Sequence, residues 1–182
     1  MSNEASAERF FETRNTLDSS VRADATELLN QSLADTTDLL TQTKYAHWNV
    51  KGPQFRMLHE LFDEQAALLF EHADRIAERA TALGGTATGT TRMAAASSRL
   101  DEFPTDAVNG VAVVGALADR YADHATYLRE NIDTALDAGD AETSDLYTEL
   151  ARDVEKQLWF LEAHHQGGES VDRPRPTLER QD

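Results

Sequence analysis

The sequence predicts an all-α protein, a four-helix bundle with a long crossover between the second and third helices. Three observations carry that expectation. Four stretches place apolar residues at helical spacing, glycine and proline separate them, and no segment sustains the alternation of a half-buried strand.

The first helix is expected from about Val21 to Val50, with Val21, Ala25, Leu28, Leu29, Leu33, Leu39 and Leu40 as its apolar stripe. Gly52-Pro53 breaks it. The second runs from about Gln54 to Leu83 along Leu58, Phe62, Leu69, Ile76 and Leu83, and Gly84-Gly85 stops it. The connection from Gly84 to Pro104 is rich in Gly, Thr and Ser and reads as a loop, with a short helix allowed over Met93 to Ser97. The third helix begins near Thr105, a residue able to cap it, and carries Val108, Val111, Leu117, Tyr121, Leu128, Ile132 and Leu136 before Gly139. The fourth spans about Thr143 to His165 with Leu146, Leu150, Val154, Leu158 and Leu161, closed by Gly167-Gly168. Residues 21–167 therefore form one bundle, flanked by tails at 1–20 and 168–182.

Composition narrows the chemistry. The 182 residues show no internal repeat, which fits a single domain. No apolar run approaches the ~20 residues that cross a bilayer, so no membrane role is expected. The first twenty residues are polar and acidic and lack the apolar centre of a signal peptide, which makes the cytoplasm the expected location. Cysteine is absent, so any metal must be held by His, Asp, Glu and water. The formal net charge is −16, and the only lysines are Lys44, Lys51 and Lys156. Such a surface repels phosphate backbones and attracts cations. It equally suits a halophilic cytoplasm, where molar salt shortens screening to about 3 Å. The charge alone is therefore no argument for metal binding.

Placement of the donors is more informative. His47 falls on the last turn of the first helix and His59 on the second turn of the next. Beyond His59 come Asp63, Asp74 and Glu78, at offsets that hold all four side chains within about a 100° arc of the second helix. Ala66, Ala67, Phe70 and Ala77 lie among them, so this flank mixes apolar and ionisable groups as a contact surface does. Asp63 and Asp74 stand about 16 Å apart along the axis at ~1.5 Å per residue. No single ion spans that gap within one chain. Two second helices packed antiparallel about a two-fold axis would bring His59 and Asp63 of one copy to Asp74 and Glu78 of the other, giving two identical sites per dimer. A mixed imidazole–carboxylate set suits iron, manganese or zinc. An ordinary alternative remains: Arg75 and Arg79 neighbour the two acids, as on an exposed salt-bridged helix face.

The stretch Lys44-Tyr-Ala-His-Trp-Asn-Val-Lys-Gly-Pro-Gln-Phe-Arg-Met-Leu-His-Glu-Leu-Phe-Asp-Glu64 resembles the signature of the Dps family of small, ferritin-like proteins. The run Glu71-His-Ala-Asp-Arg-Ile-Ala-Glu-Arg-Ala-Thr-Ala-Leu-Gly-Gly85 is similar to that family's second signature. The resemblance covers about Val21 to His165 and implies a ferritin-like bundle. It makes His47, His59, Asp63, Asp74 and Glu78 the ferroxidase ligands, with Trp48 beside them. It further implies a hollow homododecamer with metal sites at its two-fold interfaces. That shell would oxidise Fe²⁺ with hydrogen peroxide, or with O₂, store ferric mineral and so limit oxidative damage. Iron is both substrate and cargo. By the same resemblance, Asp140, Glu142 and Asp145 near the start of the fourth helix would line a pore, and Glu60 and Glu64 are candidate nucleation carboxylates. Ordinary ferritins place two Glu-x-x-His pairs inside one bundle, whereas here Glu162/His165 is the only such pair. Many family members bind DNA through lysine-rich tails. Here Glu4, Glu8, Glu12 and Asp18 outnumber Arg9 and Arg14 in the first twenty residues, so no direct DNA binding is expected.

Overall fold

A computed structural model describes residues 10–166 of the chain. The first nine residues and the segment from 167 onward, including Gly167-Gly168 and the tail at 168–182, lie outside the described residues. Five helices follow in order: α1 (Ser19–Asn49), α2 (Phe55–Ala82), α3 (Thr91–Ser97), α4 (Gly110–Asp137) and α5 (Ala141–Gln166). Among the described residues there is no strand, only one isolated bridge between Lys51 and Asn109. No helix among them is long and apolar enough to cross a membrane.

The core takes most of the stripes read from the sequence, but Val111 and Leu136 of the third stripe are 63% and 55% exposed, and Tyr147, outside every stripe, is buried. Leu29, Leu33, Leu39, Leu58, Phe62, Leu69, Ile76, Leu117, Tyr121, Leu128, Tyr147, Leu150, Val154 and Leu161 are all buried in one cluster. Side-chain pairs give the helix directions. Thr43 meets Tyr121, Thr36 meets His124 and Ser32 is bonded by Asn131, so α1 and α4 run antiparallel. Gln65 reaches Gln157, His72 reaches Asp153 and Arg79 reaches Thr143, so α2 and α5 are antiparallel too. With α1 and α2 joined by a tight turn, α2 and α4 must run parallel. Their connection therefore has to travel back along the bundle, which is why residues 83–109 are long.

The polar side of α1 holds that connection. Asn30 bonds the carbonyl of Thr86 and the N–H of Thr88, Gln31 bonds Ser97 O, and Gln42 bonds Asp101 O at 3.1 Å. Asp35 is fully buried and accepts from Arg99 at 2.6 and 3.0 Å and from its backbone N–H at 2.8 Å. Arg99 also lies 4.0 Å from the centre of the Tyr127 ring, which links the crossover to α4.

One helix start departs by more than two residues from the sequence expectation. The third long helix begins at Gly110, not near Thr105. Its cap is Asn109, whose side-chain oxygen accepts from Ala112 N at 3.0 Å. Lys51 donates to the carbonyl of Val108 at 2.8 Å, and that pairing keeps residues 108–109 extended. Thr105 stands instead in the turn closed by Ala107 N to Pro104 O. Val108 is consequently 46% exposed and outside the helix. The short helix begins at Thr91, two residues before the expected Met93, with Thr90 as its cap.

Within the stretch 1–20, residues 10–18 lie against the end of α2. Phe11 N donates to Gly84 O at 2.7 Å, and Arg22 bonds both Leu17 O and Leu83 O. Gly84 has φ +93°, and a Cβ there would sit 2.6 Å from Phe11 O.

Two imidazoles sit deep in the bundle. Thr36 Oγ1 donates to Ser32 O, so at 3.2 Å it accepts from His124 Nε2. Burial pushes His124 down to about 3, with His72 and Arg99 adding smaller effects in the same direction. The unfolded chain takes up this proton near pH 6.5 and the folded chain refuses it. Stability is therefore whole above that pH and falls below it, by up to about 1.4 kcal/mol per pH unit. His124→Gln keeps a donor for Thr36 but cannot titrate. Its melting temperature is expected to fall less than that of the wild type between pH 6.5 and about pH 4; parallel curves would remove His124 as the source. A second expectation concerns the crossover: Asp35→Ala strands Arg99 and should cost about 3 kcal/mol in urea unfolding.

Candidate metal centre

The turn between α1 and α2 sets two imidazoles face to face. His47 Nδ1 donates to the backbone carbonyl of His59 at 2.7 Å, and His59 Nδ1 donates to the carbonyl of His47 at 2.8 Å. The rings stack with centroids 3.7 Å apart and an interplanar angle of 18°. A carbonyl can only accept, so each Nδ1 carries a hydrogen, and Nε2 is the nitrogen left for a metal. This is the orientation of a metal-ligating histidine whose other nitrogen is fixed by an outer partner. The exchange is available because α1 ends here. The N–H of Lys51 goes to Val108, which leaves the carbonyl of His47 for the His59 ring. Phe55, with its ring centroid 5.1 Å from that of His59, packs on the imidazole pair.

Asp63 lies one turn beyond His59 and is 60% exposed. Its Oδ1 is 4.0 Å from His47 Nε2 and only 2.6 Å from Lys44 Nζ. The hydrogen bond and charge of Lys44 hold the Asp63 carboxyl below the usual carboxylate range. Lys44 was not among the residues singled out in the sequence, yet it stands three before His47 and so on the same helical side.

Asp74 and Glu78 are exposed, and their carboxylates make no hydrogen bond or ion pair with any described residue. The arginines beside them turn elsewhere. Arg75 pairs with Glu149, and Arg79 with Asp140 at 2.7 Å and Glu142 at 3.1 Å, all on or beside α5. A face on which Asp74 and Glu78 are neutralised by their neighbours is therefore not what forms. Among the described residues, no three His, Asp or Glu groups close on a common point. The flank instead presents two separate donor groups with Trp48 at 64%, Phe55 at 42% and Phe70 at 66% exposure around them.

The remaining candidates are distributed unevenly. Asp140 is 1% exposed. It caps α5, accepting from Thr143 N at 3.0 Å and Thr143 Oγ1 at 2.5 Å, and Arg79 takes what is left of its first oxygen. Its carboxylate is thus consumed inside the subunit, and Glu142 and Asp145 are the acids of that set that face solvent. Glu60 and Glu64 are exposed on α2, Glu60 in line with Glu78 five turns away, and Glu60 is bonded to Arg56 at 2.9 Å.

Fold and donors together define a class: a ferritin-like bundle whose metal-capable residues lie on its flank rather than between its helices. A family model described as a ferritin-like domain matches residues 26–171. A DNA protection during starvation protein of Agrobacterium fabrum is 44% identical over 154 residues, 85% of this chain and 95% of that relative. Among solved structures, Mycobacterium smegmatis Dps in a tetragonal form has TM-score 0.81 at 31% identity, covering 85% of this chain and 93% of that one. An archaeal Dps homologue from Halobacterium salinarum has TM-score 0.81 at 26% identity, with 93% of each chain covered. The chain belongs to the Dps family of ferritin-like proteins. That family generally serves iron storage and protection against oxidative damage, and its members are oligomeric assemblies.

Lys44 and an incoming cation compete for Asp63. Lys44→Met is therefore expected to tighten Co²⁺ binding at neutral pH by a few-fold, about the worth of one exposed ion pair. Titration of the absorption band of bound Co²⁺ measures it, and weaker binding would show that Lys44 helps rather than hinders.

Proposed function

We propose that the protein oxidises Fe²⁺ at ferroxidase centres shared between two subunits and stores the ferric product inside a homododecameric shell. The carrying observation is the imidazole pair whose Nδ1 atoms are both committed to backbone carbonyls, with His47 Nε2 4.0 Å from Asp63, while Asp74 and Glu78 have no partner among the described residues farther along the same helix. The two groups are eleven residues apart, about 16 Å, and only a second α2 running antiparallel unites them. His47, His59 and Asp63 of one subunit then face Asp74 and Glu78 of its partner. Neutral imidazole helps hold Fe²⁺, and carboxylates favour the harder Fe³⁺. Each ferrous ion gives up one electron, and hydrogen peroxide, or O₂ in its absence, takes them up. The protons released as ferric ion hydrolyses leave to solvent. Consuming peroxide and Fe²⁺ together prevents hydroxyl radical formation, which is how such a protein shields DNA without touching it.

Glu142 and Asp145 are proposed to draw cations toward a three-fold pore, and Glu60 and Glu64 to seed mineral on the cavity side. The charge of −16 supports protection by chemistry over direct DNA binding, and it suits work in a salt-rich cytoplasm. Retardation of free duplex at low salt would overturn that part.

Mixing two defective chains tests the shared centre. His59→Ala and Glu78→Ala homo-oligomers should each oxidise Fe²⁺ at least about a hundredfold more slowly than the wild type. Co-assembled at random, half of the dimers pair one variant with the other, and each of these regains one intact site. About a quarter of wild-type activity should return. No recovery on mixing would place all the ligands within one subunit.

A further inference from the structure

The Asp74/Glu78 half of the centre has a mechanical weakness that its other half lacks. His47 and His59 are locked by ring stacking and reciprocal hydrogen bonds and Asp63 is held by Lys44, whereas the Asp74 and Glu78 carboxylates have no partner among the described residues. Glu78 moreover lies in the closing turns of α2, which ends at Ala82, where helices fray. What aims these two carboxylates must act through the backbone of α2.

One face of α2 does so. His72, Arg75 and Arg79 fall within about 60° of one another around the helix and all meet α5. His72 bonds Asp153 at 3.3 Å, Arg75 bonds Glu149, and Arg79 bonds three oxygens at once. Those three are Asp140 Oδ1 at 2.7 Å, Thr143 Oγ1 at 2.9 Å and Glu142 Oε2 at 3.1 Å. Of the two arginines Arg79 is the better anchored, with its side chain 16% exposed against 40% for Arg75. Its main partner, Asp140, is buried and itself fixed as the cap of α5. Consecutive helical residues point about 100° apart, so seating Arg79 against α5 fixes the direction in which Glu78 leaves the helix. Arg22 and Phe11 bond the terminal carbonyls of Leu83 and Gly84, but those contacts hold the end of α2 without setting its rotation.

We infer that Arg79 is a positioning residue for the metal centre, turning Glu78 and Asp74 outward by anchoring the last turns of α2 to the buried cap Asp140 of α5. The inference rests on the two-subunit centre proposed above. Arg79 and Asp140 touch no metal; they fix the azimuth of the helix that presents the ligands.

The test uses the assembled protein with Co²⁺ as the probe. Asp140→Asn is the decisive variant, because it keeps the size of the side chain and an oxygen for Thr143 N, lies off the ligand face of α2, and removes the charge of the anchor together with the acceptor of the Thr143 hydroxyl. Both Asp140→Asn and Arg79→Gln should weaken Co²⁺ binding about tenfold, the usual cost of losing the support behind a ligand. Both should also change the intensity of the Co²⁺ absorption band and raise KM for Fe²⁺ more than they lower kcat. Arg79→Lys should restore part of the affinity. A purely structural role would lower the melting temperature and leave the band and the KM unchanged well below the transition. Wild-type affinity and band shape in a folded Asp140→Asn protein would overturn the inference alone. A wild-type protein whose Co²⁺ binding is indifferent to His59→Ala would remove the shared centre and this inference with it.

Discussion

A straight α-helix advances about 1.5 Å per residue and does not fold back, and the chemistry proposed for this protein is built on that stiffness. Donors at both ends of an eleven-residue interval cannot converge unless something else brings them together. The bundle supplies two separate donor groups on one flank, which the proposed centre would unite. One half is finished within the subunit, because the end of α1 frees a carbonyl that the His59 ring takes. The other is a pair of carboxylates that no described residue of the same chain neutralises.

The long helices and the shared arc of donor residues on α2 were legible because both depend on periodicity within a single segment. Leu58, Phe62, Leu69 and Ile76 could be placed inside, and His59, Asp63, Asp74 and Glu78 on one arc, from spacing alone. Features set by pairing across the chain were not. Thr105 looks as good a cap as Asn109 until Lys51 holds Val108 extended. Asp140 looks like one acid in a solvated run, and only contact with Arg79, sixty-one residues earlier, takes it inside. Arg75 and Arg79 could equally have paired with their own neighbours along α2; their choice of α5 is a tertiary outcome.

The same division holds in the interior. An apolar stripe announces α1, but its buried Asn30, Asp35 and Gln42 carry no periodic signal. They are explained by the crossover, whose backbone groups lack partners of their own and take them from α1. Because α2 and α4 run parallel, that long connection is a topological necessity, and its polar anchoring follows from its length. A bundle with short loops throughout would have had no use for these residues.

Gly84 shows how narrow the tolerance of such an arrangement can be. A single added methyl group there would meet Phe11 O, and the backbone angle already favours glycine. For protein engineering, this closes position 84 to library design and makes residues 10–17 part of the bundle's working body. A truncation that treats them as dispensable leader would strip the end of α2 of its covering and loosen the helix that carries the acids.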